Sequence, residues 1–199
     1  EAEALDLARH VHRQPQLAAV VEVGDGREGH VVAVARNALV LGAPRNRRPA
    51  HGTVLDLALP RRGAIVERAL DLIYGYSLGL DMTRRDLQRG MGDQKKPWEI
   101  GKSFDKSAPI GAVHKVAQTG HFAKGDIWLK VNGQVKQKAD LNQMIWSVAE
   151  QISKLSEAFE LFPGDIIYAG TPENVGPVVR GDVIEMHIDG LPNLSVKIV

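Results

Sequence analysis

Three short runs in this sequence combine residue types that can do chemistry. The first is Asp81-Met82-Thr83-Arg84-Arg85-Asp86-Leu87-Gln88, placed directly after the apolar run Tyr76-Ser77-Leu78-Gly79-Leu80. A carboxylate at the end of a strand suits a hard cation, because Mg²⁺ prefers oxygen and is held by few protein groups together with water. Arg85 and Gln88 stand four and seven residues after Asp81. If the turn is helical they share a face, where they could grip an anionic substrate. The plain structural alternative is that Asp81 caps a helix and Arg85 with Asp86 is a surface pair. The second run is Gly101-Lys102-Ser103-Phe104-Asp105, with Trp98 just upstream. A lysine flanked by Gly and Ser and set among aromatics can point inward and stabilise a developing oxyanion; an exposed loop lysine is the alternative. The third run is Pro163-Gly164-Asp165-Ile166-Ile167-Tyr168-Ala169-Gly170-Thr171-Pro172-Glu173. Backbone N–H groups after Gly170 and the Thr171 hydroxyl, placed at a strand end, suit recognition of a carboxylate.

Other familiar chemistries find less support. Gly24, Gly26 and Gly29 make a G-x-G-x-x-G run, but the residues that follow are β-branched and no acid stands at the ribose position, so a hairpin turn is the better reading than a dinucleotide site. The seven histidines are scattered, His10 and His12 point to different faces of a helix, and no H-E-x-x-H pair or G-x-S-x-G elbow occurs. Cysteine is absent, which removes disulfides, thiolate nucleophiles and Cys-based metal sites.

The elements that must position these runs follow from period and punctuation. Helical spacing of Leu5, Ala8 and Val11 predicts a short helix stopped by Pro15. Residues 17–23 and 30–34 flank Gly24-Asp25-Gly26 and predict a hairpin. A strand is expected over 54–59, a short amphipathic helix over 64–73, a strand over 76–80 and a helical turn over 83–89 capped by Asp81 or Thr83. Asn132-Gly133 between 126–131 and 134–138 is a strong hairpin signal. Met144, Ile145, Val148, Ile152, Leu155 and Phe159 predict one long helix over 141–161, begun by Asp140 and stopped by Pro163-Gly164. Strands are expected over 165–169, 183–188 and 194–198. Many short strands, few helices and no βαβ alternation imply a mainly β, α+β domain rather than a doubly wound sheet.

A chain of 199 residues suits a single domain, 1–199, since no linker, repeat or low-complexity tract divides it. A net charge of +1 gives no global electrostatic case for nucleic acid or an acidic membrane, and Arg45, Arg47 and Arg48 read as a solvated loop. No apolar run approaches the roughly 20 residues needed to cross a bilayer. The acidic start with Arg and His is unlike a signal peptide, so the expectation is a cytoplasmic, soluble protein.

Taken together and in order, the D-x-T-x-R-D-x-Q, G-K-S-F-D and P-G-D-I-I-Y-A-G-T-P runs resemble the fumarylacetoacetate hydrolase superfamily, most of all its fumarylpyruvate hydrolase branch. The match is good from about Ile65 to the C-terminus, with 1–63 divergent and 64–199 well matched. The resemblance implies a mixed β-roll or barrel of the family's C-terminal domain type with a few short helices, usually a homodimer. It also implies a divalent metal, Mg²⁺ or else Mn²⁺ or Ca²⁺, that chelates the pyruvoyl end of a 2-oxo acid. Carried over residue by residue, Asp81 would be a metal ligand, Arg85 and Gln88 would lie near the substrate, Lys102 would support the oxyanion, and Gly170 with Thr171 would bind a substrate carboxylate. The implied reaction is hydrolysis of an acylpyruvate such as fumarylpyruvate in aromatic-compound catabolism: water attacks the distal carbonyl and the C–C bond then breaks.

The first third departs from the family pattern. Where the family carries H-E-x-E, this chain reads His51-Gly52-Thr53-Val54-Leu55-Asp56, so two glutamate ligands are replaced. Asp56 falls two residues beyond Val54, on the same face of the expected strand, as a candidate substitute. Arg36-Asn37 echoes the family's G-R-N-Y run, with no His/Glu pair after it. Two further readings therefore stand beside the hydrolase: a decarboxylase or isomerase of a related 2-oxo acid, and a catalytically silent binding or dimer-forming protein.

Overall fold

The computed structural model describes residues 63–199 and the backbone of three earlier strands, β1 (Ala19–Val21), β2 (Val31–Ala33) and β3 (Ala35–Leu41). Helix α1 (Val66–Ala69) runs on as a 3-10 turn, Leu70–Leu72, into β4 (Ile73–Leu80). Strand β5 (Thr83–Arg84), helix α2 (Arg85–Asp93) and a 3-10 turn, Glu99–Gly101, come next. They are followed by β6 (His114–Lys115), α3 (Val116–Thr119), β7 (Asp126–Val131) and β8 (Gln134–Asp140). Helix α4 (Val148–Ala158) precedes β9 (Ile166–Tyr168), β10 (Gly176–Val178), β11 (Val183–Ile188) and β12 (Leu194–Ile198).

These strands make three sheets, of order β1-β12-β11-β7-β8, β10-β2-β5 and β6-β4-β3-β9. The architecture is mixed α+β and mostly β, as expected, but among the described residues the sheets are separate and do not close into a barrel. In the largest sheet β11 alternates exposure along its length, burying Ile184, Met186 and Ile188 completely. That period of two puts one face of the sheet in the core and leaves the other wet. Ile127, Leu129, Val196 and Ile198 extend the same apolar face on the neighbouring strands. β4 differs. Between β3 and β6 it is buried on both faces, with Tyr76, Leu78 and Leu80 on one and Ser77 on the other.

Local chemistry sets the connections. Asn132 (φ 51°) and Gly133 (φ 79°) both lie in the left-handed region, which a two-residue turn between β7 and β8 requires and which Asn-Gly tolerates. Helix α4 opens with a reciprocal capping box, in which Ser147 Oγ accepts from the Glu150 N–H and Glu150 Oε2 accepts from the Ser147 N–H. Its Val148, Ile152 and Ser156 recur at helical spacing and are buried against the core. Buried Ser156 ties in the start of α1: its hydroxyl accepts from the Ala64 N–H at 2.7 Å and its carbonyl from the Gly63 N–H at 3.0 Å.

Several expectations need correction. The segments expected as a hairpin around Gly24-Asp25-Gly26 do contain strands, but β1 pairs parallel with β12 while β2 pairs with β10 and β5. An apolar run specifies an extended segment, not its partner. The long helix expected over 141–161 begins only at Ser147. Asp140 caps a single 3-10 turn, Leu141–Gln143, after which Met144 returns to extended backbone. The turn expected over 83–89 begins at Arg85 with no side-chain cap, because Thr83 and Arg84 pair with Val32 and Val31 as strand. The 64–73 helix ends at Leu72, since Ile73 already belongs to β4. The helix expected before Pro15 and the strand over 54–59 lie outside the described residues.

Because Ile152 is fully buried between α4 and the core, Ile152→Ala should cost about 2–5 kcal/mol of unfolding free energy in urea, without change of slope. Phe159→Ala, at a position 62% exposed, should stay within about 0.5 kcal/mol of the parent. Equal effects at the two positions would contradict this placement of the core.

Candidate active site

The site forms where β4 ends. Leu80 N–H donates to Pro109 O and Met82 N–H to Ser107 O, each at 2.8 Å, and Gly111 N–H donates to Leu78 O at 2.8 Å. These bonds lay the segment 107–111 along the last residues of β4 and leave Asp81 between two anchored neighbours. A cavity of about 570 Å³ opens there, lined by Asp81, Lys102, Phe104, Asp105, Ser107 and Tyr168, with Ser103 and Ala108 completing the wall.

Lys102 points into this wall rather than to solvent. Its Nζ donates to Asp81 Oδ1 and, at 2.8 Å, to Thr83 Oγ1. The side chains of Lys102 and Asp81 are 29% and 18% exposed, so the pair is screened only in part. The preceding glycine makes this possible. A Cβ on buried Gly101 would lie 2.7 Å from the backbone nitrogen and Cβ of Gln88 and 2.9 Å from Arg84 O. Only glycine lets the Glu99–Gly101 turn press against the start of α2, which delivers the next residue to Asp81. The turn is closed by Lys102 N–H and Ser103 N–H, both donating to Glu99 O. Phe104 is steadied from behind by the Arg84 guanidinium, 4.4 Å from its ring centroid.

The opposite wall is Tyr168, whose Oη donates to Ala108 O at 3.1 Å. Its ring takes the space left by Gly79: a Cβ there would sit 2.7 Å from the ring. Deeper on β4, the Tyr76 hydroxyl shares a hydrogen bond of 2.8 Å with His121 Nδ1. Burial pushes its pKa up to about 12, against the smaller lowering effect of the Phe122 backbone, so it stays protonated at neutral pH.

Asp81 and Lys102 are thus brought together. Arg85 and Gln88 do share one face of α2, but they face each other: Arg85 Nη1 donates to Gln88 Oε1 at 2.6 Å, and neither lines the cavity. Gly170 (φ 134°) and Thr171 stand two and three residues after Tyr168, just beyond the end of β9, and do not line the cavity either. The residues that sequence reasoning did not assign to the site are Thr83 as the second partner of Lys102, Phe104, Tyr168 and Gln137. The last is 1% exposed on β8 and reaches across to Thr171. Its signal was a polar side chain on the inward face of a strand whose Lys136 and Lys138 face out.

The donors around the cavity are all oxygens, from the carboxylates of Asp81 and Asp105 and the hydroxyls of Ser103 and Ser107. That chemistry fits a hard divalent cation such as Mg²⁺ or Mn²⁺ and not one that prefers thiolate or imidazole. Among the described residues no three His, Asp or Glu side chains converge to hold a metal. Asp81, with Asp105 on the same wall, would therefore hold it together with water and substrate oxygens.

Comparison with known proteins identifies relatives over most of the chain. The family described as fumarylacetoacetate (FAA) hydrolase C-terminal matches residues 55–199. A fumarylpyruvate hydrolase of Ralstonia sp is 40% identical over 167 residues, covering 83% of this chain and 86% of its own. The mitochondrial oxaloacetate tautomerase of Homo sapiens is 41% identical over 150 residues, 74% of this chain and 68% of its own. The crystal structure of fumarylpyruvate hydrolase from Pseudomonas aeruginosa in complex with Mn²⁺ and pyruvate superposes with a TM-score of 0.80 at 40% identity, over 92% of this chain and 71% of that one. With the β4 carboxylate, the inward lysine and the Gly-Thr-Pro loop in the order that first drew the resemblance, this chain belongs to the fumarylacetoacetate hydrolase family.

Proposed function

We propose that the protein is a divalent-metal-dependent hydrolase that cleaves the C–C bond of an acylpyruvate, fumarylpyruvate being the best single substrate. The observation that carries this reading is the inward Lys102, ion-paired with Asp81 and hydrogen-bonded to Thr83, on the wall of the cavity. The 40% identity to a fumarylpyruvate hydrolase and the Mn²⁺ and pyruvate held by a neighbouring structure support it.

In this reading Thr171, with the backbone N–H groups after Gly170, binds a substrate carboxylate. Lys102 Nζ faces the carbonyl oxygen that gains negative charge as water adds to the distal carbonyl carbon. Thr83 and Asp81 fix the direction of that ammonium, so little reorganisation is needed when the charge develops. Asp81 would hold a divalent cation, which when bound would supply Lewis-acid polarisation of the 2-oxo end. The bond between the hydrated carbon and C3 of the pyruvoyl group then breaks. Its electron pair stays with the pyruvoyl fragment, which takes up a proton to give pyruvate, and the other product is the carboxylic acid. Arg85 and Gln88 would meet the substrate's anionic end once the guanidinium turns from Gln88. Two copies of the chain make the working unit.

A second reading, a tautomerase, isomerase or decarboxylase of a related 2-oxo acid, is favoured by the 41% identity to an oxaloacetate tautomerase. Loss of the enol absorbance of fumarylpyruvate, followed first in EDTA and then in excess Mg²⁺ or Mn²⁺, separates the two. Metal-dependent loss with stoichiometric pyruvate identifies the hydrolase. Turnover of oxaloacetate alone identifies the second reading, and a folded protein that binds neither metal and turns over neither substrate is a silent family member.

Two variants test the assigned roles. Asp81→Asn should abolish metal-dependent thermal stabilisation, which in the parent should reach about 2.7 kcal/mol at roughly 100 times Kd; a shift of undiminished size would falsify Asp81 as a ligand. Lys102→Met should lower kcat by about a hundredfold or more, the range expected for loss of an oxyanion donor. A change confined to KM would instead make Lys102 a residue of uniform binding.

A further inference from the structure

Gln137 lies beside an irregularity in the β7–β8 ladder, where pairing shifts between Leu129 and Lys130 so that Gln137 opposes Leu129 and Val135 opposes Lys130. A local extra residue re-aims the side chain next to it. The result is a glutamine only 1% exposed. Its Nε2 donates to Pro172 O at 2.8 Å, to Glu173 O at 3.1 Å and to Thr171 Oγ1 at 3.2 Å. Two of the three are carbonyl oxygens that can only accept, so the amide nitrogen, not its oxygen, must face the loop. The Thr171 hydroxyl in turn donates to Pro172 O at 3.2 Å. With two N–H groups for three acceptors, one of them shared, a single amide from a different sheet meets three consecutive residues of the loop that follows Gly170.

We infer that Gln137 is the positioning residue of the carboxylate-binding loop, setting the direction of the Thr171 hydroxyl and of the backbone around it from a site that substrate never touches. The inference rests on the reading of Thr171 as a carboxylate ligand given above. The physical case is independent of it. Without the amide, Pro172 O and Glu173 O lose a buried donor, and Thr171 Oγ1 loses one of the partners that fix its lone pairs. A loop with those bonds missing samples other arrangements, and a ligand group held by a mobile loop binds more weakly.

The experiment uses the full chain with Mn²⁺ and pyruvate as probe. Gln137→Met removes the donor at similar size. Gln137→Glu keeps the shape but sets a carboxylate against two carbonyl oxygens, and it regains one donor only when the acid is protonated. Backbone hydrogen exchange over 170–176 should quicken in Gln137→Met while β11 and β12 stay protected. The pyruvate Kd and the substrate KM should rise by about 10–100-fold, the usual cost of losing an outer partner of a binding group, with kcat changed by only a few-fold. In Gln137→Glu the pyruvate Kd should improve as pH falls, a trend the parent lacks. Should the Met variant not fold, this pH dependence in the Glu variant decides. Unchanged exchange in the loop, or quickened exchange with parental pyruvate affinity, overturns the inference. If the parent itself binds no pyruvate, the proposed function fails at that point, and exchange over 170–176 alone decides whether Gln137 holds the loop.

Discussion

Strand β4 is buried on both faces, and at its end, while one edge pairs with β3, the other shares its hydrogen bonds with the segment 107–111 rather than with another long strand. Buried backbone groups must find partners, and here the partners come from the loop that walls the cavity. The constraint works in both directions. The loop cannot move away without orphaning Leu80 and Met82, and Asp81, the one residue between them, is held facing the gap. The carboxylate, the lysine that meets it and the tyrosine opposite are all referred to this short ladder, so the site inherits the rigidity of the core strand although most of its lining residues lie on loops.

The ion pair itself sits on a carboxylate with more than one accepting position. Asp81 Oδ1 accepts from Lys102, but an ionised carboxylate offers about four lone-pair sites over two oxygens. An ammonium on one oxygen therefore uses only part of the carboxylate's accepting capacity. The pair also holds the Lys102 ammonium at the wall of the cavity. Lys102 is kept there by sequence-local means, a turn and a glycine, and by one hydroxyl, Thr83, that arrives from the end of β5.

How much of this was legible beforehand varied with the range of the interaction. The Asn132-Gly133 hairpin, β11 and β12 were readable because their signals are local: a turn that needs positive φ at two residues, and strict alternation of apolar side chains. The meeting of Asp81 with Lys102 was legible only as a resemblance of ordered motifs, since nothing in the spacing of the two says that they touch. What was not legible was decided by partners far away in the chain. β1 and β2 pair with strands near the C-terminus, and Gln137 acts on a loop 34 residues on. The one local error of substance, the start of the long helix, came from two good N-caps seven residues apart, Asp140 and Ser147. The first was spent on a single 3-10 turn because Met144 leaves helical backbone.

The contact between Gly79 and Tyr168 bears on how this protein can change over generations. The cavity wall is an aromatic ring seated where another residue has no side chain, so the two positions form a single unit of volume shared between two strands. A larger residue at 79 is tolerable only with a smaller one at 168, and shrinking 168 alone opens a void beside β4. Such contacting pairs are strongly non-additive, which makes the order of substitutions matter. Lineages of this chain should pass from one substrate size to another by paired exchange at these positions, with either single step disfavoured, and libraries built to alter its specificity should vary the two together.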